Sequence, residues 1–369
     1  MTDKAKVRAQ AERLQAFFIG AGARVVEADI LQPAETLLDL YGEDIRSRAY
    51  VTSDPLRGEM MLRPDFTVPV VQAQMAEGTA AGAVTYMGEV FRKQEHEGVR
   101  ASEFIQVGYE MFGDSDEEAA EARVFALFDE VLSPLSLRAA TGDIGILMAA
   151  VEGLSTSDRR KAALKRHLWR PRRFRALLDR YGGRSPVPES RARLLDAARK
   201  KGAAAVAEAA GPDIGLRARE EVAERIEALL ADAAEAPISE NEVAILDHIL
   251  SLRETSVNAL EQLRDVAVDL PQIAPAVTRM DRRLEALAGQ GIDVDALDFE
   301  ASYGRTTMEY YDGFVFGFYA EARLDLPPVA TGGRYDALTC VLGQGRCLPA
   351  VGGVVRPELV VTLTEEAAK

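Results

Sequence analysis

The chain has 369 residues, 47% apolar but only 7% aromatic, with a formal net charge of −15. That length holds one large domain or two ordinary ones, with a core filled mainly by aliphatic side chains and alanine. The acidic balance argues against a surface that follows a nucleic-acid backbone, and no apolar run approaches the roughly 18 residues of a membrane span. The opening stretch MTDKAKVRAQAERL has no apolar centre of a secretory signal, so a cytoplasmic protein without a membrane segment is expected. The two cysteines, Cys340 and Cys347, fit a reducing compartment and two ordinary structural thiols. Their spacing, with no histidine nearby, makes a poor zinc site, and neither a metal nor another cofactor is expected.

Residues 4–19 read as an amphipathic helix with Val7, Leu14, Phe17 and Phe18 on one face, stopped by Gly20 and Gly22. A strand is expected from Ala23 to Leu31 and a helix from Glu35 to Tyr41. A hairpin over 49–62 turns at Ser53-Asp54-Pro55. A turn at Arg63-Pro64-Asp65-Phe66-Thr67 leads into a helix from Val68 to Met75. Val84–Arg92 and Phe104–Met111 are strands on either side of a polar loop, the pattern of an antiparallel hairpin with a long tip. Glu117–Leu132 returns to helical periodicity.

From about 151 to 290 the chain is rich in Ala, Leu, Glu and Arg, and the runs 203–210, 216–234 and 257–290 read as helices. Strands resume at Leu297–Tyr303, Tyr311–Ala322 and Ala350–Val355. The expected organisation is an α+β core from residues 1–150 and 291–369, built on one sheet, with a helical insertion over 151–290. Within the insertion, residues 159–175 hold nine Arg or Lys and no acid. Such a run is either a solvated helix face paired with acids elsewhere, or a contact surface for nucleic acid or an acidic partner.

Three segments carry a family resemblance. Gly88-Glu89-Val90-Phe91-Arg92, followed by Glu103-Phe104-Ile105-Gln106-Val107-Gly108-Tyr109-Glu110-Met111-Phe112-Gly113, resembles the second signature motif of class II aminoacyl-tRNA synthetases, in its histidyl form. Leu62-Arg63-Pro64-Asp65-Phe66-Thr67 resembles the Leu-Arg-Pro-Glu-Gly-Thr turn of histidyl-tRNA synthetases. Tyr310-Tyr311-Asp312-Gly313 and Thr331-Gly332-Gly333-Arg334-Tyr335-Asp336 resemble that family's paired tyrosines and its Gly-Gly-Arg-Tyr-Asp turn. The resemblance covers roughly 1–150 and 297–360, and implies a class II synthetase-like antiparallel sheet flanked by helices. The matched positions offer what a free histidine needs. Asp65, Thr67 and Gln106 suit its ammonium, and Arg92 its carboxylate. Glu110 and Tyr310 suit the imidazole nitrogens, with Tyr311 and Tyr335 as walls. Because strand neighbours face opposite ways, one of Tyr310 and Tyr311 is expected in the core.

The departures set the functional expectation. Leu359 stands where the synthetases carry a third-motif arginine, with Arg356 three residues off. Gln94 replaces an acid, Ser102 an arginine, and Thr306 a further arginine that helps activate the amino acid. Activation needs such cations on the transferring phosphate, so loss of catalysis with retention of recognition is expected, with no catalytic residue. The chain ends ten residues after Leu359, where the synthetases continue into an anticodon-binding domain, and tRNA is not an expected partner. This profile resembles the regulatory subunits of ATP phosphoribosyltransferase, which are histidyl-tRNA synthetase paralogues. The resemblance implies a short-form catalytic partner, histidine as feedback effector in histidine biosynthesis, and a homodimeric core within a hetero-oligomer. The alternative is an active histidine-tRNA ligase or histidine-activating enzyme.

Overall fold

The strand patterns at both ends of the chain meet in one nine-stranded sheet. The computed structural model describes residues 3–41, 45–78, 81–94, 101–211, 217–305 and 310–368. Its strands are β1 Arg24–Val25, β2 Leu31–Pro33, β3 Val51–Asp54, β4 Gly58–Leu62, β5 Gly82–Phe91, β6 Glu103–Phe112, β7 Arg138–Asp143, β8 Arg253–Thr255, β9 Asp298–Glu300, β10 Phe314–Tyr319, β11 Ala330–Arg334 and β12 Ala350–Val355. The large sheet runs β1-β5-β6-β12-β11-β10-β7-β9-β8, antiparallel except for the pairs β1/β5 and β7/β9. The second sheet, β2-β4-β3, contains the expected hairpin.

Helices Lys4–Gly20 and Glu117–Leu132 contribute to the core with Leu14, Phe18, Phe125 and Phe128, whose rings meet Tyr109, Phe316 and Phe318. Asp3 caps the first helix and Asp116 the second, each side chain accepting a backbone N–H of the opening turn. The expected strand over 23–31 is instead two short pieces, β1 and β2. The Gly-Gly-Arg-Tyr-Asp segment is not a turn. Its Thr331–Arg334 part lies in β11, at the centre of the sheet.

The chain divides into two compact units, Met1–Ala149 with Ile249–Lys369, and Ala150–His248. The sequence boundary at 291 therefore falls inside the first unit, which also owns helices Ser256–Asp269 and Ala274–Gly289. The cause is visible at Arg283, 3% exposed, which donates to Glu121 at 2.9 Å and Asp143 at 2.8 Å and lies over the Phe314 ring. The second unit is helical, with Leu164, Phe174, Leu178 and Val243 buried and a separate small cluster of Ala198, Ala203, Ala207 and Ile226. Part of the basic run is absorbed there by acids: Arg160 donates to Asp232 at 2.8 Å, Arg175 pairs with Asp247 at 2.5 Å, and Lys165 pairs with Glu152.

Cys340 and Cys347 are joined by a disulfide, with Cα atoms 4.2 Å apart, which corrects the reading of two thiols. The loop after helix Asp336–Leu342 returns close enough for the bond, helped by Thr339, whose hydroxyl donates to the Leu348 carbonyl at 2.7 Å and accepts the Leu348 N–H at 3.0 Å. No described helix is long and apolar enough to cross a membrane.

Candidate ligand-binding site

The site is built on β6. Residues four apart on a strand share a face, so Gln106 and Glu110 point the same way, with Cα atoms about 13 Å apart. Glu110 lies in register with Gly352 of β12, and the pairing of the two strands runs on to Val107 and Val355. Two glycines make room. A Cβ on Gly352 would sit 1.6 Å from the Glu110 carboxylate, and one on Gly108 would sit 2.1 Å from the Tyr86 ring. Glycine at these two places lets the carboxylate lie across β12 and lets Tyr86 lean over β6 towards it.

The turn before helix Thr67–Glu77 closes one side. Arg63, 4% exposed, stacks on Phe66 at 3.8 Å, and its guanidinium donates to the carbonyls of Glu89 (2.8 Å) and Ala28. Phe66 in turn stacks on Tyr86 at 4.5 Å. Arg92 donates from Nε to the Pro64 carbonyl at 2.7 Å, tying the end of β5 to the same turn. These contacts present Asp65 and Thr67 to the sheet.

The result is a cavity of about 300 Å³ lined by Asp65, Thr67, Arg92, Gln106, Glu110, Tyr310 and Tyr311, together with Thr331, Arg356 and the Pro327-Pro328 and Gly352–Val354 backbone. Seven of the eight sequence-predicted residues line it. The eighth, Tyr335, is buried behind Glu110 and donates to its Oε2 at 2.7 Å. Tyr86, which the sequence reading passed over, donates to Oε1 at 2.7 Å, and Thr67 donates to the same atom at 3.3 Å. Tyr310 extends the chain by donating to the Thr67 hydroxyl at 3.2 Å.

Tyr311 is 5% exposed and belongs to the core, as expected of one of the pair, while Tyr310 is half-buried, and both also line the cavity. Strand alternation does not apply to them, because β10 begins only at Phe314 and the pair sits in the bend before it. The sequence reading also set Arg356 aside as three residues out of place, whereas it lines the cavity. Leu359 is buried in helix Pro357–Ala367. Thr306 and the loop residues 95–100 lie outside the described residues.

Charged groups of both signs line the cavity. Glu110, 1% exposed, has its carboxyl pushed up to about 7, because burial disfavours its charge more than the hydroxyls of Tyr335, Tyr86 and Thr67 stabilise it. Arg92 and Arg356 also line the cavity. Gln106 is fully buried, and neither its carboxamide oxygen nor its nitrogen has a hydrogen-bond partner among the described residues. A buried amide with both functions unmet costs roughly 1–3 kcal/mol, unless a ligand meets them. The cavity suits a small zwitterion carrying an additional hydrogen-bonding ring.

The family model described as Histidyl-tRNA synthetase matches residues 2–245 and 219–360. The ATP phosphoribosyltransferase regulatory subunit of Brucella anthropi is 31% identical over 347 residues, spanning 89% of this chain and 90% of that protein. That of Agrobacterium fabrum is 32% identical over 341 residues, spanning 89% of each. The chain belongs to the ATP phosphoribosyltransferase regulatory subunit family. Solved structures place the fold of this family member among the histidyl-tRNA synthetases. An ATP phosphoribosyltransferase regulatory subunit/histidyl-tRNA synthetase from Bacillus halodurans superposes with TM-score 0.68 at 22% identity, covering 98% of this chain and 81% of that one. A histidyl-tRNA synthetase from Nostoc sp. gives TM-score 0.65 at 16% identity, covering 99% and 73%.

Proposed function

We propose that this chain is a non-catalytic regulatory subunit of ATP phosphoribosyltransferase, which assembles with a short-form catalytic subunit and holds free histidine as feedback effector. The observation that carries the reading is the unmet Gln106 carboxamide in a cavity that Glu110, Asp65 and Arg92 also line. Histidine supplies matching groups: an imidazole for Glu110 and Tyr310, an ammonium for Asp65, Thr67 and Gln106, and a carboxylate for Arg92. Tyr311 walls the cavity, and Tyr335 braces Glu110 from behind. Feedback follows if histidine binds one state of the assembly more tightly than the other. The protein acts in the cytoplasm as a homodimeric core within a hetero-oligomer, with no cofactor of its own.

The test is reconstitution with a short-form catalytic subunit. The mixture is expected to gain phosphoribosyl transfer to ATP and to lose it again on adding histidine. Glu110→Ala and Tyr310→Phe are expected to leave assembly intact and weaken inhibition, Glu110→Ala by at least about tenfold, the scale of a lost hydrogen bond to a charged group. Undiminished inhibition in both variants would overturn the site assignment.

A second reading has one observation in its favour. Arg356 supplies a second cation beside Arg92, so histidine activation by ATP has a phosphate anchor to draw on. Histidine-dependent exchange of pyrophosphate into ATP by the purified chain would establish the second reading.

A further inference from the structure

We propose that the Cys340–Cys347 bond is a thiol–disulfide exchange site that sets the affinity of the cavity: the closed bond holds the pocket in shape for histidine, and opening by a dithiol loosens it. This rests on the histidine reading above and adds how that site is regulated.

The bond lies in the connection between β11 and β12, which is helix Asp336–Leu342 and the loop after it. Both ends of that connection reach the ligand site. At its start Tyr335 donates its hydroxyl to Glu110 at 2.7 Å, and beyond its finish Gly352 of β12 leaves room for the same carboxylate. The two ends are clamped together: the Tyr335 N–H donates to the Ala350 carbonyl at 2.9 Å, and Asp336 accepts the Ala350 N–H at 2.7 Å. The loop is also fastened to a third wall of the cavity. Arg346 donates to the Met75 carbonyl at 2.6 Å, in the last turn of helix Thr67–Glu77, and Thr67 at the start of that helix donates to Glu110 at 3.3 Å. Gly343 packs against Met75 so closely that a Cβ there would sit 2.4 Å from the Met75 methyl. A helix is a rigid element, so holding its last turn helps to hold its first.

The turn between the cysteines needs holding. Gln344 has φ 53° and Gly345 φ 91°, and positive φ disfavours any residue with a side chain. The bond spans this turn and fixes Arg346 within it. Cys347 is exposed, so a thiolate can reach its sulfur, and exposed disulfides are the labile and regulatory ones. In the cytoplasm proposed above, a disulfide is transient or redox-sensing rather than a permanent staple. One thiolate of a dithiol attacks Cys347 Sγ and forms a mixed disulfide as the bond to Cys340 breaks. Cys340 leaves as a thiolate and takes up a proton. The second thiol of the reagent loses its proton and attacks the reagent sulfur of the mixed disulfide, and Cys347 leaves and is protonated in turn. Two electrons and two protons pass to the protein, and the reagent becomes a disulfide. Hydrogen bonds such as those between Thr339 and Leu348 then hold the turn alone, and histidine binding must remove the freedom that Arg346 and the start of β12 have gained.

The experiment measures histidine binding to the full chain by calorimetry after treatment with oxidised glutathione and after reduction with dithiothreitol. The chain has two cysteines, so titration of free thiols reports this bond alone. The oxidised wild type is expected to show no free thiol and to bind histidine at least about threefold more tightly than the reduced form, the scale of ordering one long side chain. Cys340→Ser with Cys347→Ser is expected to bind as the reduced wild type does, with or without dithiothreitol. Arg346→Gln keeps the bond but cuts the tie to Met75, and is expected to bind at the reduced level in both conditions. Two free thiols that persist in oxidised glutathione, equal affinity of the two wild-type forms, or tighter binding by the reduced form overturns the switch and leaves the histidine reading standing. So does a response to dithiothreitol that survives in either variant. Absence of histidine binding by both wild-type forms overturns both.

Discussion

Glu110 is held by its neighbours in a state that pH controls. Burial raises its carboxyl from the ordinary 4.5 to about 7, against the hydroxyls of Tyr335, Tyr86 and Thr67. Between those values the folded protein keeps a proton that the unfolded chain has released. Stability from this group is complete below pH 4.5 and is lost as the pH rises through 7. Asp312, also raised to about 7 by burial, acts in the same direction. Glu110→Gln is therefore expected to flatten the decline of stability between pH 5 and 7 by close to one proton's worth of slope, leaving the Asp312 share. Urea unfolding at pH 5, 6 and 7 measures this, and an unchanged slope would show that Glu110 does not titrate in the window. Residue chemistry at this site was legible in the sequence wherever a residue type and its strand spacing coincided, as with Gln106 and Glu110. Tyr86 was not legible, because a tyrosine in an apolar strand reads as core, and only the partner glycine at 108 shows that it leans across. Arg356 was missed because counting along a motif ignores the fold that brings separate segments to one cavity.

At the scale of elements, the site depends on how closely β6 and β12 approach. Glu110 lies over Gly352, and any side chain there would displace the carboxylate or push the strands apart. Gly352→Ala is expected to cost roughly 1–3 kcal/mol, the range for overpacking a filled interior, and to abolish histidine binding. Denaturant unfolding and calorimetric titration check the two effects separately, and a variant with full histidine affinity would show that Glu110 is not the group that meets the ligand. The long strands β5 and β6 and the flanking helices Lys4–Gly20 and Glu117–Leu132 could be read from alternation and helical period. β7 and β11 could not. The stretch Arg138–Asp143 has little β-branched or aromatic content, and the two glycines of β11 carry a turn signature, although both strands sit deep in the sheet. Their place is decided by neighbours, β10 above all, which pairs with both.

Across the whole molecule the charge is divided unevenly. Residues 150–248 hold 19 Lys and Arg against 16 Asp and Glu, and the rest of the chain holds 25 against 43. The helical unit is thus near neutral, while the unit that carries the cavity is strongly acidic and repels itself. That unit is also assembled from chain segments on either side of the helical one, and a buried ion network joins them. Arg283 bonds Glu121 and Asp143, and Glu121 also accepts from Arg334, which reaches on to Asp336 and the Glu117 carbonyl. Four of these residues, Glu121, Asp143, Arg283 and Arg334, are buried. Removing one partner leaves an uncompensated charge, which costs roughly 3–5 kcal/mol, far more than the net worth of the intact pair. Arg283→Met is expected to lower stability by that amount, read as a drop in the urea midpoint. Arg283→Met combined with Asp143→Asn is expected to recover part of the loss, because Asp143, which loses its Arg283 partner, is then neutral while its oxygen can still accept the Gly145 N–H, and Glu121 keeps Arg334. A double variant as unstable as the sum of its single changes would show that the two groups are not coupled, and that something other than the network holds the 121–143 and 283–334 segments together.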